Sequence, residues 1–100
     1  MSQPEVQHEA ARQRFVIQIG DAVGLLSYSV VDKTTLDYNH TFVPPALRGR
    51  GLAGVLARHA LDYAAESGFK VVPSCPYVSR YIEKHPKYAH LLRHSGAPDA

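Results

Sequence analysis

The chain has 100 residues, enough for one small domain but too few for two independent cores. Apolar residues make up 45% of the sequence and charged residues 20%, which excludes an intrinsically disordered chain. The formal net charge is only +2, so charge alone does not indicate a nucleic-acid partner. We therefore expect a single folded domain.

Cysteine and histidine usage narrows the class of protein further. The one cysteine, Cys75, excludes an internal disulfide framework and a Cys-rich zinc site. No histidine pair stands with a carboxylate at ligand spacing, so no metal site is expected. No apolar run has the length that crosses a bilayer, and residues 2–14 lack the hydrophobic region of a signal peptide. These features predict a cytoplasmic protein without a membrane partner.

Alternating apolar residues predict three antiparallel strands in a meander. Residues 15–19 form the first strand, Gly20 and Asp21 the turn, and residues 23–31 the returning strand. Residues 36–42 form the third strand, which two consecutive prolines end. The alternation places His40 on the same face as its apolar neighbours on this strand.

The hydrophobic period then changes to three and four, which predicts an amphipathic helix from Leu52 to about Glu66. Gly68 is expected to end it in a left-handed conformation. A short strand over residues 69–72 and a second helix over residues 77–84 follow, with Ser74 or Cys75 as its cap. The predicted domain covers residues 13–94, between a flexible arm (1–12) and a flexible tail (95–100).

A glycine-rich turn, residues 44–54, leads directly into the long helix. Glycines let backbone N–H groups approach an anion closely, and a helix N-terminus adds partial positive charge. The Walker pattern is absent, since no Gly-Lys-Ser or Gly-Lys-Thr occurs. Gly49, Gly51 and Gly54 match the dinucleotide pattern, but the acidic residue expected about 20 positions later is missing. A plain loop and helix cap is the structural alternative.

The spacing Arg48-x-x-Gly51-x-Ala53 resembles the pyrophosphate loop of the GNAT superfamily of N-acetyltransferases, whose pattern is Gln or Arg, two residues, Gly, one residue, and Gly or Ala. The order of meander, loop, helix, strand and helix is also that of the GNAT central region. Residues 40–45, residues 73–77 and the pair His85-Pro86 resemble the small N-acetyltransferase domain-containing branch. The resemblance covers about residues 14–92 and implies a compact GNAT-like α/β (α+β) fold.

The resemblance implies acetyl-CoA as co-substrate, without a metal, and an amine acceptor that is a small molecule or a protein. The loop backbone would hold the pyrophosphate, and the strand end before it would pair with the pantetheine arm. The coenzyme-binding residues so implied are Phe42, Val43, Arg48, Gly49, Arg50, Gly51, Leu52, Ala53 and Gly54. The segments that build the acceptor pocket of larger GNAT enzymes are missing, so the acceptor cannot be carried over.

Four side chains are candidates for the chemistry of acetyl transfer. Cys75 precedes a predicted helix, whose dipole lowers a thiol pKa, so it can accept the acetyl group or serve as a packed small side chain. His40 can take a proton at pH 7, or pack with one nitrogen satisfied. Tyr77 and Tyr81 share one side of the second helix, and either can protonate the departing thiolate, with core packing as the alternative.

These observations predict an acetyl-CoA-dependent N-acetyltransferase, monomeric or homodimeric. The alternative from another class is a non-catalytic acyl-CoA-binding or regulatory module. A small nucleic-acid-binding protein using Arg48, Arg50 and Arg58 is the third interpretation, and the low net charge argues against it.

Overall fold

The computed structural model describes residues 5–93, which form one five-stranded sheet and two α-helices. The strand order is β1-β2-β3-β4-β5, antiparallel except for the parallel pair β4 and β5. The α/β prediction, with its meander, helix, strand and helix, is confirmed. The elements are β1 (Gln7–Glu9), β2 (Arg14–Ile19), β3 (Ala22–Asp32), β4 (Thr35–Phe42), α1 (Leu52–Ser67), β5 (Lys70–Val72) and α2 (Pro76–Lys84), with 3₁₀ turns at Ala10–Arg12, Pro45–Leu47 and Pro86–Leu91.

The N-terminal segment differs from the prediction. Residues 7–12, expected within a flexible arm, form strand β1 and a 3₁₀ turn. His8 explains the difference, because its ring stacks on Phe15 at a centroid distance of 4.3 Å and its Nε2 lies 2.6 Å from the Tyr28 hydroxyl. The polar sequence of this segment gave no periodic signal for that pairing. The predicted tail, residues 95–100, lies outside the described residues.

Both helices pack on one face of the sheet. Helix α1 lies across β2, β3, β4 and β5, and α2 packs against β4 and α1. Tyr38, at the centre of β4, is fully buried and donates a hydrogen bond from its hydroxyl to the carbonyl of Ala60 in α1. The other face of the sheet carries polar side chains such as Gln18, Ser29 and Asn39, which are exposed.

A β-bulge in β4 changes which residues face the core. Tyr38 pairs with Tyr28 and His40 pairs with Ser27, so Asn39 is an extra residue without a partner on β3. The Asn39 side chain bridges both flanking serines, with its Oδ1 3.2 Å from Ser27 Oγ and its Nδ2 2.9 Å from Ser29 Oγ. The predicted alternation is therefore wrong beyond this point, and His40 lies on the exposed face.

The pairing of β4 with β5 ends partway along β4. The ladder runs from Thr35 to Asp37 on β4, and one further bond joins the Cys75 N–H to the Tyr38 carbonyl at 3.0 Å. Strand β5 stops at Val72, where Pro73 follows, whereas β4 continues to Phe42. Among residues 5–93, the last residues of β4 therefore have no β-strand partner on their β5 side.

Within residues 5–93, neither helix is long and apolar enough to span a bilayer.

Candidate active site

The glycine turn has the backbone geometry of an anion cradle. Gly49 and Gly51 have φ angles of 83° and 73°, in the left-handed region that favours glycine. The first N–H of α1 to bond within the helix is that of Val55, which donates to the Gly51 carbonyl at 3.2 Å. The preceding N–H groups, those of residues 52–54, have no partner within the helix and lie at its positive end. A Cβ built at Gly51 meets no atom within 4 Å, so the space beside this residue is open.

A cavity of about 150 Å³ lies at this cradle. Most of the predicted coenzyme-binding residues line it together with Tyr77, namely Val43, Arg48, Gly49, Gly51, Leu52, Ala53 and Gly54. Phe42 and Arg50 are exposed and are not part of the lining. Gly54 faces α2, and a Cβ there would stand 3.4 Å from the Tyr77 hydroxyl, which is van der Waals contact.

Arg48 joins the turn to the end of β4. Its Nε donates a hydrogen bond to the Val43 carbonyl at 2.9 Å. The guanidinium is exposed and carries further N–H donors beside the cradle. Arg48 therefore positions the loop and adds positive charge next to it.

Cys75 is the N-cap residue of α2 and is 6% exposed. Its Sγ lies 3.4 Å from the Thr41 hydroxyl, which the bulge in β4 directs to the inner face. Burial raises the pKa of the thiol, but the Thr41 hydroxyl and the backbone amides of Tyr77 and Val78 outweigh that effect. The net result is a thiol whose pKa lies below its ordinary value, as in cysteines that act as nucleophiles.

His40 and Asp37 lie on the exposed face, at the point where β4 and β5 separate. His40 is exposed and immediately precedes Thr41, so it is adjacent along the chain to the residue that contacts the thiol. Asp37 pairs with Val72 at the last position of the ladder. One oxygen of its carboxylate, Oδ1, is buried without a hydrogen-bond partner among residues 5–93. A buried acceptor of this kind is stabilised by any donor that reaches it.

Tyr77 and Tyr81 have different surroundings on α2. Tyr77 lines the cavity at the cradle, and burial, followed by the nearby Tyr81, raises its pKa. Tyr81 is outside that lining, and its ring stacks on His85 at a centroid distance of 4.0 Å. The two tyrosines are therefore not equivalent, although the sequence spacing treats them alike.

Thr41 and Asp37 are site residues that the sequence did not single out. Thr41 faces the thiol only because of the bulge, and no periodic pattern signals a bulge. Asp37 is the last acid before a long stretch without acids, but its position at the strand junction depends on the parallel pairing of β5. No group of three potential ligands that could hold a metal ion occurs within residues 5–93.

Comparison with known proteins agrees with this geometry. A family profile described as GCN5-related N-acetyl-transferase matches residues 14–91. The chain belongs to this family. Members of the family generally use acetyl-CoA.

Relatives and a solved structure support the assignment. The chain is 36% identical over 90 residues to Protein NATD1 of Xenopus tropicalis, covering 88% of this chain and 83% of the relative. Protein NATD1 of Homo sapiens is also 36% identical over 90 residues, with 88% and 80% covered. The NMR solution structure of a GCN5-like protein from Staphylococcus aureus matches with a TM-score of 0.71 at 24% identity, covering 99% of this chain and 97% of that one, and confirms the fold.

The environment of Cys75 predicts a measurable titration. We expect the Thr41→Val variant to raise the thiol pKa, because it removes the hydroxyl beside Sγ, and Ser74→Ala, a neighbouring exposed hydroxyl, to leave it unchanged. The Cβ chemical shift of the one cysteine, followed against pH, reports this pKa directly. Equal midpoints in the wild type and Thr41→Val would show that the hydroxyl does not stabilise the thiolate.

Proposed function

We propose that the protein transfers the acetyl group of acetyl-CoA to an amine, and that Cys75 carries the acetyl group between the two. The observation that supports this proposal best is that α2 carries the thiol at its N-cap, in contact with Thr41 of β4, and carries Tyr77 in the lining of the glycine cradle. Tyr77 lines the cradle cavity and follows Cys75 by two residues in the sequence.

The coenzyme would be held by backbone more than by side chains. The N–H groups of residues 49–54 would donate to the pyrophosphate, with the positive end of α1 behind them. The pantetheine arm would follow the part of β4 that has no strand partner, at Phe42 and Val43. Arg48 and Arg50 would contribute positive charge from the exposed side of the loop.

The transfer would take place in two steps. In the first, the Cys75 thiolate forms a bond to the acetyl carbon, the bond from that carbon to the coenzyme sulfur breaks, and Tyr77 donates a proton to the departing thiolate. In the second, the amine enters from the exposed face where β4 and β5 separate, its nitrogen attacks the acetyl-cysteine, and the thiolate of Cys75 leaves. The amine proton passes to His40, and proton exchange with water then restores His40 and Tyr77. The carboxylate of Asp37, which is half-buried on the exposed face, would accept an N–H of the incoming amine.

The cradle is tested by substitution at a glycine with positive φ. Gly51→Ala is expected to weaken acetyl-CoA binding, because a side chain disfavours the positive φ of this residue and so displaces the N–H groups of the turn. The expected loss is roughly tenfold to hundredfold, the equivalent of one charge-assisted hydrogen bond. Gly20→Ala is the matched control, because Gly20 also has positive φ, at 60°, and lies in the turn between β2 and β3. Calorimetric titration with acetyl-CoA, and with ATP as a second anion, measures both variants. Equal losses of acetyl-CoA affinity in the two variants would indicate that the turn only caps the helix and does not bind the coenzyme.

The role of Cys75 is tested by the covalent adduct. Incubation with acetyl-CoA in the absence of an amine is expected to add one acetyl group at Cys75, detected by intact mass and peptide mapping. Cys75→Ala and Cys75→Ser are expected to bind acetyl-CoA but to lose the adduct and the transfer to amines. Undiminished transfer by these variants would establish direct attack of the amine on the thioester. Binding with neither adduct nor transfer in the wild type would support a non-catalytic acyl-CoA-binding module.

The two tyrosines give a matched pair of conservative variants. Tyr77→Phe is expected to lower the transfer rate about a hundredfold with acetyl-CoA affinity retained, because the raised pKa keeps its hydroxyl protonated and able to donate. Tyr81→Phe is expected to have little effect, since its ring stacks on His85 outside the cavity. The released coenzyme thiol measures the rate. A larger loss in Tyr81→Phe would assign the proton donor to that residue.

A further inference from the structure

A second cavity, of about 340 Å³, lies at the other end of α1. It is enclosed by β1, β2 and the second half of the helix, and it shares no lining residue with the cavity at the glycine cradle. Asp62, in its wall, is ten positions along α1 from Leu52, or about 15 Å. Its volume is within the range of small-molecule sites, roughly 300 to 1,000 Å³. The two cavities are therefore separate sites.

The wall of this cavity is made of aromatic rings in fixed contact. His8 stacks on Phe15 with an interplanar angle of 14°, and it meets the edge of Tyr63 at a centroid distance of 4.5 Å. Phe15 and Tyr63 also meet edge to face, at 5.7 Å. The hydrogen bond between His8 and Tyr28 fixes the imidazole from behind. The rings are thus held in place before any ligand binds.

The charge of the cavity is negative. Asp62 and Glu66 stand one helical turn apart in its wall, His8 and His59 are the other titratable residues of the lining, and the described lining contains no lysine or arginine. The Tyr88 hydroxyl donates to Asp62 Oδ1 at 2.7 Å and so fixes the position of this carboxylate. Burial lowers the pKa of His8, which favours the neutral imidazole beside the carboxylates. Glu66 is in the last turn of α1, where the helix dipole is also negative.

Aromatic faces beside carboxylates recognise a particular chemistry. A positively charged nitrogen on an alkyl chain can donate hydrogen bonds to the carboxylates, while its polarised CH₂ groups lie against the rings. An anion would be repelled by both carboxylates, and a purely apolar ligand would leave them without partners. We propose that the cavity lined by His8, Phe15, Tyr63, Asp62 and Glu66 binds an alkylammonium group, at a site separate from the coenzyme cradle. This binding does not depend on acetyl transfer.

The proposal is tested by titrating the full chain with 1,4-diaminobutane while amide and aromatic resonances are followed by NMR. Saturable shifts are expected at His8, Tyr63 and Glu66, with the glycines of the cradle unaffected. The matched ligand is 1,4-butanediol, which has the same chain length without charge and is expected not to bind. Shifts centred on the cradle, equal binding of the diol, or no saturable shift would each overturn the proposal.

Two variants and one control assign the binding to this cavity. Glu66→Gln is expected to weaken diamine binding about fivefold, since it removes one exposed carboxylate. Tyr63→Leu, which keeps an apolar side chain but removes the π face, is expected to weaken it by a similar factor. Glu83→Gln makes the same charge change on α2, outside the cavity, and is expected to have no effect. An equal loss in Glu83→Gln would indicate non-specific attraction and contradict the assignment.

The source of the alkylammonium group is distinguished by a second titration. A lysine blocked at both termini presents the same group as a protein side chain, whereas the diamine represents a free polyamine. Tighter binding of the blocked lysine would identify a protein segment as the source, and tighter binding of the diamine a small molecule. Failure of both ligands to bind would contradict the proposal, while the glycine and cysteine variants test the acetyl-transfer function independently.

Discussion

The bulge at Asn39 is the constraint on which the arrangement of the site depends. Without the extra residue, strict alternation would direct His40 to the inner face and Thr41 to solvent. The bulge reverses this, so that the Thr41 hydroxyl reaches Cys75 and the imidazole remains exposed. The side chain of Asn39 holds the irregularity in place by bridging two serines of β3. Because of the extra residue Asn39, the thiol of Cys75 lies at the inner face of the sheet, whereas His40, the proposed proton acceptor, lies on the exposed face.

Helix α1 links the two cavities through its dipole. Its N-terminus, after left-handed Gly51, presents unpaired N–H groups to the cradle, where an anion is favoured. Its last turns carry Asp62 and Glu66 beside an aromatic wall, where a cation is favoured. The same 16 residues therefore offer opposite potentials at their two ends.

Much of the fold could be predicted because it follows from local signals. The alternation in β2 and β3, the helical period of α1 and the prolines around β4 and α2 each act over a few residues. Strand β1 could not be predicted, since its polar residues show no alternation and it depends on contacts of His8 with Phe15 and with Tyr28, which is 20 residues away. The cradle was recognisable from its glycines, whereas the spacing of Tyr77 and Tyr81 could not show that only Tyr77 lines the cavity there and that Tyr81 stacks on His85.

The exposed face of the sheet bears on how an acceptor would be chosen. Both described helices cover the inner face, so the groups proposed to meet the amine, His40 and Asp37, lie on a surface without a covering element among residues 5–93. A flat surface makes few contacts with a small ligand, and selectivity between similar amines needs a shaped pocket. Recognition at this face would therefore depend on the amino group itself and its immediate neighbours. The cavity at the far end of α1 is enclosed on three sides by β1, β2 and the helix, and so has the shape for selectivity that the proposed reaction centre lacks.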